Sequence, residues 1–280
     1  MKKFTPIAAA VALVSALSAV PAHADSFFWA INQFATIQRL NGDTGAVVVA
    51  DSFAVPFGSG SAASIAVVGN IGYYTLLGNT NVYGVNMTTH ASLGSQFTIP
   101  TLSGFVNGIT NDSNGHLWFA GGGGDPLREY STAGALLSTH AFPNPASAYR
   151  DGSVVFGNFV VANRGDQIGP YDKYNLTGGN AALTVNQLSF ITTVGSGHNG
   201  IAYNGTNFYT SDEQKHEVSK WTSAGVFVSK ANLAANSRYE NWTFASQDIV
   251  PDVPEPSTYA LMFAGLALVG FAAKRKSRAA

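Results

Sequence analysis

Cysteine is absent from the 280 residues of this chain. Its absence excludes disulfide bonds, so stability has to come from apolar burial and from hydrogen bonds between backbone groups. Charged residues are also scarce, at 11% of the chain. No long segment of the central region shows the apolar periodicity of an amphipathic helix. Together these absences favour an all-β body stabilised by its own core.

Recognisable catalytic motifs are also missing. The histidines lie singly, without the H-x-x-H or H-E-x-x-H spacing of zinc enzymes, and no G-x-S-x-G segment is present to activate a serine. The glycine run at residues 121–124 lacks the Lys-Ser/Thr that follows a phosphate-binding loop. The sequence therefore assigns no catalytic or cofactor-binding residue.

The N-terminal segment has the pattern of a secretory signal peptide. Lys2 and Lys3 precede an apolar run over residues 7–20, and Ala22 and Ala24 form the small-residue A-x-A site that signal peptidase cleaves. We predict a signal peptide over residues 1–24, export through the Sec machinery, and cleavage after Ala24.

The C-terminal segment predicts a short membrane helix. Residues 259–273 carry no charge, and a basic tail over residues 274–278 follows at once. Such a helix measures ~22 Å, against the ~30 Å of a bilayer core, which suits transient anchoring in the inner membrane. The basic tail would remain cytoplasmic, leaving the preceding chain outside.

Pro254, Glu255 and Pro256 directly precede this helix. The order of Pro-Glu-Pro, short apolar helix and basic terminus over residues 251–280 resembles the PEP-CTERM sorting signal of Gram-negative bacteria. The resemblance implies recognition by an exosortase and removal of the tail near residues 254–256. It also implies delivery to the cell surface or the extracellular space, in organisms that build an exopolysaccharide matrix.

The body over residues 25–250 is acidic. Residues 25–255 contain nine basic and sixteen acidic residues, a net charge of −7. This balance argues against nucleic acid and anionic membrane surfaces as partners of the body.

Internal repeats predict the fold of the body. Gly108 and Gly200 begin two similar stretches 92 positions apart, and Gly134 and Gly225 recur within them 91 positions apart. Weaker copies between and before them reduce the period to ~46 residues, the length of a four-stranded propeller blade. We predict an all-β propeller of about five blades, with a β-sandwich as the alternative.

The two ends of the body are expected to complete one blade together. Residues 27–31, 36–40 and 46–53 have the pattern of three strands of a blade without its first strand. Residues 241–245 are predicted to supply that strand, which would close the ring and remove exposed strand edges.

Four polar residues are predicted to surround the central channel, because each lies just ahead of an innermost strand. Oxygen ligands from separate blades suit Ca²⁺. The arrangement resembles in outline the metal site of the gluconolactonase-like propellers, although Ala63 occupies the position in one copy. The alternative is that these residues only form turns. The predicted ligands are Asn107, Asp151, Asn199 and Glu240, with Asn241 as the alternative to Glu240.

Three functions remain open at this point. We predict an exported surface or matrix-associated protein with an interaction domain of unknown ligand. One alternative is a metal-dependent lactonase-like or lyase-like exported enzyme. Another is a lectin-like domain that binds exopolysaccharide, because aromatic side chains of the body either stack on sugars or form the core between blades. These aromatic residues are Tyr130, Tyr171, Tyr174, Trp221 and Tyr239.

Overall fold

The computed structural model describes residues 27–32, 34–57, 62–76, 79–100, 106–121, 125–143, 152–163, 170–192, 198–212, 215–233 and 245–247. The chain divides into two units, residues 1–247 and 248–280, and every described residue belongs to the first. The predicted signal peptide, sorting segment and hydrophobic helix lie outside these ranges. Within them, no helix has the length and hydropathy needed to cross a membrane.

The described residues form twenty β-strands in five sheets, each of four antiparallel strands. We call each sheet a blade. Blade one contains β1 (Phe27–Ile31), β2 (Thr36–Asn41), β3 (Val47–Ala54) and β20 (Ala245–Gln247). Blade two contains β4 (Ala62–Val68), β5 (Ile71–Leu76), β6 (Asn81–Asn86) and β7 (Ser92–Thr98).

The other three blades repeat this order. Blade three contains β8 (Val106–Asn111), β9 (Leu117–Gly121), β10 (Leu127–Tyr130) and β11 (Leu136–His140). Blade four contains β12 (Ser153–Phe156), β13 (Phe159–Asn163), β14 (Tyr171–Asn175) and β15 (Thr184–Ile191). Blade five contains β16 (His198–Tyr203), β17 (Asn207–Asp212), β18 (Glu217–Thr222) and β19 (Phe227–Asn232).

The blades form a closed ring around their first strands. β4, β8, β12 and β16 start 44, 47 and 45 residues apart, in agreement with the predicted period. Each of these strands contacts the next, and β20 contacts both β16 and β4. The prediction of a five-bladed propeller is confirmed, and the β-sandwich alternative is wrong.

Blade one is completed by a C-terminal strand, as predicted, but this strand extends further along the sequence than expected. β20 pairs antiparallel with β1, with Gln247 opposite Phe28 and Ala245 opposite Trp29. Of the segment 241–245 that was predicted to supply this strand, only Ala245 falls within the described residues. The described pairing continues to Gln247, so the ring-closing strand extends two residues past the predicted end.

The core consists of five apolar layers, one between each pair of neighbouring blades. Because side chains alternate across a strand, β1 sends Phe28 and Ala30 toward blade five and Trp29 and Ile31 toward blade two. All four are buried. Burial of a large apolar side chain contributes roughly 1.5–3 kcal/mol, so these layers hold adjacent blades together.

Five aromatic residues were predicted either to stack on sugars or to form core between blades, and four of them are buried between blades. Tyr130, Tyr171, Tyr174 and Trp221 each expose at most 6% of their surface. Their polar atoms are used internally: Trp221 donates to Thr210 Oγ1 at 2.9 Å, and the Tyr171 hydroxyl donates to Gly200 O at 2.9 Å. These four rings therefore form core rather than sugar-stacking surfaces, and Tyr239 lies outside the described residues.

Candidate functional site

Two of the predicted axial ligands occupy equivalent bulges in the inner strands. The pairing of β8 with β9 skips Asn107, and that of β16 with β17 skips Asn199. Ala63 is skipped in the same way in β4. A β-bulge changes the direction of the residue that it contains, and such bulges are frequent at the rims of barrels and beside functional sites. Asn107, Asn199 and Ala63 thus occupy equivalent positions in the inner strands of three blades.

The other two predicted ligands, Asp151 and Glu240, lie outside the described residues. The register of β12 with β13 places Gly152 at the position that Asn107 takes in β8. The side chains of Asn107 and Asn199 are also outside the described part of the structure. The axial Ca²⁺ site therefore stays a prediction.

A second group of ligand-type side chains lies at the opposite end of the β8 strand, where that strand turns into β9. We call Asp112, His116 and Glu129 the blade-three cluster. His116 Nδ1 lies 2.7 Å from Glu129 Oε1 and 3.8 Å from Asp112 Oδ2. One ligand atom from each residue falls within 4.8 Å of the other two. The cluster thus presents one imidazole nitrogen and two carboxylate oxygens.

The turn between β8 and β9 fixes Asp112. Its Oδ1 atom accepts hydrogen bonds from the backbone N–H groups of Asn114 at 2.8 Å and His116 at 3.0 Å. The indole N–H of Trp118 donates to Oδ2 at 3.0 Å. Asp is favoured in such turns because its side chain can replace a backbone acceptor. The carboxylate is therefore held in one orientation, with Oδ2 facing His116.

Glu129 is fixed from the next strands. Ser138 on β11 donates its hydroxyl proton to Glu129 Oε2 at 2.6 Å, and the same hydroxyl lies 2.9 Å from His140 Nε2. His140 Nδ1 donates to the carbonyl of Ala181 in blade four at 2.7 Å, since a carbonyl oxygen can only accept. Because Ser138 and His140 are buried, this chain of hydrogen bonds connects the cluster to the interior and to the next blade.

Solvent reaches the cluster through His116. Its side chain is 36% exposed, whereas those of Asp112 and Glu129 are 10% and 16% exposed. His116 stands apart from other histidines in the sequence, but the structure brings it together with two carboxylates. The spacing D-x-x-x-H across a turn was a weak signal, but Glu129 is thirteen residues away in sequence and only the strand pairing brings it close.

Comparison with known proteins identifies the C-terminal segment. Residues 252–276 match the PEP-CTERM protein-sorting motif. The chain carries a PEP-CTERM sorting motif. This confirms the resemblance of Pro254, Glu255 and Pro256 with their flanking residues to that signal, and it implies an exported protein that an exosortase processes. No curated protein matches the chain in sequence.

Solved structures resemble the propeller at low sequence identity. A chain of a nidogen–laminin complex has a TM-score of 0.53 and 12% identity, covering 78% of this chain and 98% of that one. Virginiamycin B lyase from Staphylococcus aureus has a TM-score of 0.45 and 15% identity, covering 72% of this chain and 64% of the lyase. The Cps50 (Swd1) propeller domain of Myceliophteria thermophila has a TM-score of 0.47 and 14% identity, covering 74% and 70%. The likeness to the nidogen–laminin chain concerns the fold alone.

Proposed function

We propose that the propeller acts as a non-catalytic interaction module at the cell surface or in the extracellular matrix after exosortase processing. The observation that carries this proposal is the position of the sorting motif. It begins at residue 252, and four residues separate it from the last described residue of the ring-closing strand β20 (Ala245–Gln247). Cleavage near residues 254–256 therefore removes the tail and retains every strand of the ring.

The perimeter of the propeller offers surface for such interactions. Most of the exposed large apolar side chains of the described residues lie on the fourth strands, which form the outer edges of the blades. The most exposed examples on these strands are Val49, Leu136, Leu188 and Phe227.

Replacement of Pro254, Glu255 and Pro256 by alanine tests the processing step. We expect the variant to be exported but to accumulate uncleaved in the inner membrane, because the apolar segment 259–273 still halts translocation while the exosortase recognition motif is gone. Membrane fractionation and mass spectrometry of the C-terminus provide the measurement. A matched control carries alanine at Ser257 and Thr258 only. Normal release of the triple variant would contradict the proposal.

The carbohydrate-binding alternative is tested by retention of the purified, processed protein on exopolysaccharide from its own host. Retention that free polysaccharide reverses would specify the ligand class of the module. The enzyme alternative requires the axial metal, so it predicts a rise in melting temperature with millimolar Ca²⁺. An unchanged melting temperature would remove the observation on which that alternative depends.

A further inference from the structure

The blade-three cluster holds donor atoms that the proposed function does not use. We propose that Asp112, His116 and Glu129 bind one Zn²⁺ ion at the turn between β8 and β9. This site lies at the opposite end of β8 from Asn107, so it is separate from the predicted axial Ca²⁺ site. It does not depend on the proposed function of the propeller.

The donor atoms decide the choice of cation. Zn²⁺ takes imidazole nitrogen and carboxylate oxygen together, whereas Ca²⁺ takes six to eight oxygen ligands and avoids nitrogen. The cluster offers one nitrogen, from His116, and carboxylate oxygens from Asp112 and Glu129. Three protein ligands with a fourth position open to solvent are the usual number for an accessible zinc site.

The distances in the cluster fit a tetrahedral ion after small side-chain rotations. With bonds of about 2.0–2.1 Å, two ligand atoms of tetrahedral Zn²⁺ are roughly 3.3 Å apart. His116 Nδ1 is now 2.7 Å from Glu129 Oε1 and 3.8 Å from Asp112 Oδ2, values on either side of this separation. The ion would take the place of the proton on His116 Nδ1, between His116 and Glu129. In a neutral ring that proton would move to Nε2. In an imidazolium, whose Nε2 already carries a proton, it would be released to solvent.

The partners of the two carboxylates are arranged as an outer shell. Trp118 holds Oδ2 of Asp112, and Ser138 holds Oε2 of Glu129 while leaving Oε1 facing His116. Outer hydrogen bonds of this kind fix the ligands before the metal arrives, and their removal typically lowers metal affinity 10- to 100-fold. The exposed edge of the His116 ring provides the path by which the ion enters.

Isothermal titration calorimetry with ZnCl₂ tests the site, using the full chain purified from its host and stripped of metal with EDTA. We expect saturable binding of one Zn²⁺ in the micromolar range. Millimolar Ca²⁺ should not compete for this site. Tryptophan emission should change during the titration, because the Trp118 indole donates to a ligand carboxylate.

Variants assign the binding to the cluster. His116→Ala and Glu129→Gln should each weaken Zn²⁺ binding at least ~10-fold. Asp112→Asn keeps an acceptor for the turn N–H groups while removing the charge, so it should weaken binding without unfolding the turn. Glu217→Gln removes a carboxylate in blade five and is the matched control, with unchanged affinity expected. Melting temperatures without metal show that each variant is folded.

Two results would overturn the proposal. One is the absence of saturable Zn²⁺ binding to the folded, metal-free protein up to ~100 µM, a concentration far above the expected range for a three-ligand site. The other is equal binding by the parent chain and by the folded His116→Ala and Asp112→Asn variants, which would place the ion elsewhere. Loss of the emission change in Trp118→Phe, with Zn²⁺ binding that is weaker by calorimetry but still saturable, would support the assignment to blade three.

Discussion

At the scale of single residues, two glycines control how closely neighbouring blades approach. Gly134 and Gly225 lie in turns between third and fourth strands with φ of 83° and 77°, a region that favours glycine. A Cβ atom on Gly134 would lie 2.5 Å from Phe97 Cβ of blade two, and one on Gly225 would collide with the Phe190 carbonyl oxygen of blade four. These are the glycines through which the repeat was recognised in the sequence.

In blade two, a histidine instead of a glycine makes the contact between this turn and the preceding blade. His90 takes the corresponding turn position with φ of 58°, and its ring stacks on Phe53 of blade one with 3.9 Å between centroids. Histidine is among the residues that adopt positive φ more readily than most. The contact between blades is thus kept although the glycine is absent, which explains why this copy of the repeat was weak in sequence.

Substitution of Gly225 by alanine separates the backbone effect from the packing effect. Gly179 is the matched control, because it has φ of 69° and no atom within 4 Å of its Cβ position. We expect Gly179→Ala to cost about 1–2 kcal/mol from the left-handed backbone alone. Gly225→Ala should cost about 3 kcal/mol or more, since the Phe190 carbonyl must also move. Urea unfolding measures both, and equal losses would refute the close contact.

At the scale of elements, a charged pair joins the first and the last blade. Lys220 Nζ on β18 lies 2.6 Å from Asp43 Oδ1 in the β2–β3 turn, and Tyr209 OH donates to the same oxygen at 3.2 Å. Burial by itself lowers the pKa of Lys220, but its hydrogen bonds to Asp43 and Tyr209 outweigh this and raise the pKa above its ordinary value. The charged form of Lys220 therefore stabilises this junction of the ring.

A double-mutant cycle of Lys220→Met and Asp43→Asn measures that stabilisation. We expect a coupling energy of about 1–2 kcal/mol at pH 8, because the Lys220 side chain is only 15% exposed. Since its pKa is raised on folding, the contribution is complete below pH 10.5, the ordinary value, and is lost as the pH rises further.

The pair Lys230–Glu217 provides the control for this cycle. Its N–O distance is similar, 2.7 Å, but it lies within blade five and the Lys230 side chain is 57% exposed. Solvent screening should reduce its coupling to below about 0.5 kcal/mol. Equal coupling in the two cycles would show that the position at the junction adds nothing to the ion pair.

At the scale of the whole molecule, the ring is closed by β20, of which the structure describes three residues. β20 (Ala245–Gln247) supplies the first strand of blade one and contacts the first strands of blades two and five. The contact joins the two ends of the propeller body. Without it, β1 would become an exposed edge facing the channel.

Two truncations test closure by this strand. A chain that ends after residue 250 keeps β20, and we expect it to unfold at the melting temperature of the processed protein. A chain that ends after residue 244 loses only six further residues, yet it should melt roughly 10 °C lower, because about 4 kcal/mol of strand pairing and packing is lost. Calorimetry of both chains, exported with the same signal peptide, gives the comparison. A difference of a degree or two would argue against closure by β20.

Sequence alone determined the features that are encoded locally. The sorting motif is a continuous segment, and the blades repeat a pattern of alternating apolar residues and turn glycines such as Gly134 and Gly225 that can be counted along the chain. That pattern was sufficient to predict the period near 46, the number of blades, and a first blade built from both ends of the body. The reason is that each blade is a local unit whose alternating side chains pack against its two neighbours.

Only the tertiary structure decided where distant residues meet. The blade-three cluster needs Glu129 on β10 to approach Asp112 and His116 in a turn thirteen or more residues earlier, and no spacing rule encodes that approach. The burial of Tyr171 and Trp221 likewise depends on the neighbouring blade rather than on the strand that carries each ring. Strand register fixed both outcomes, since shifting a pairing by one residue turns every side chain to the opposite face of the blade.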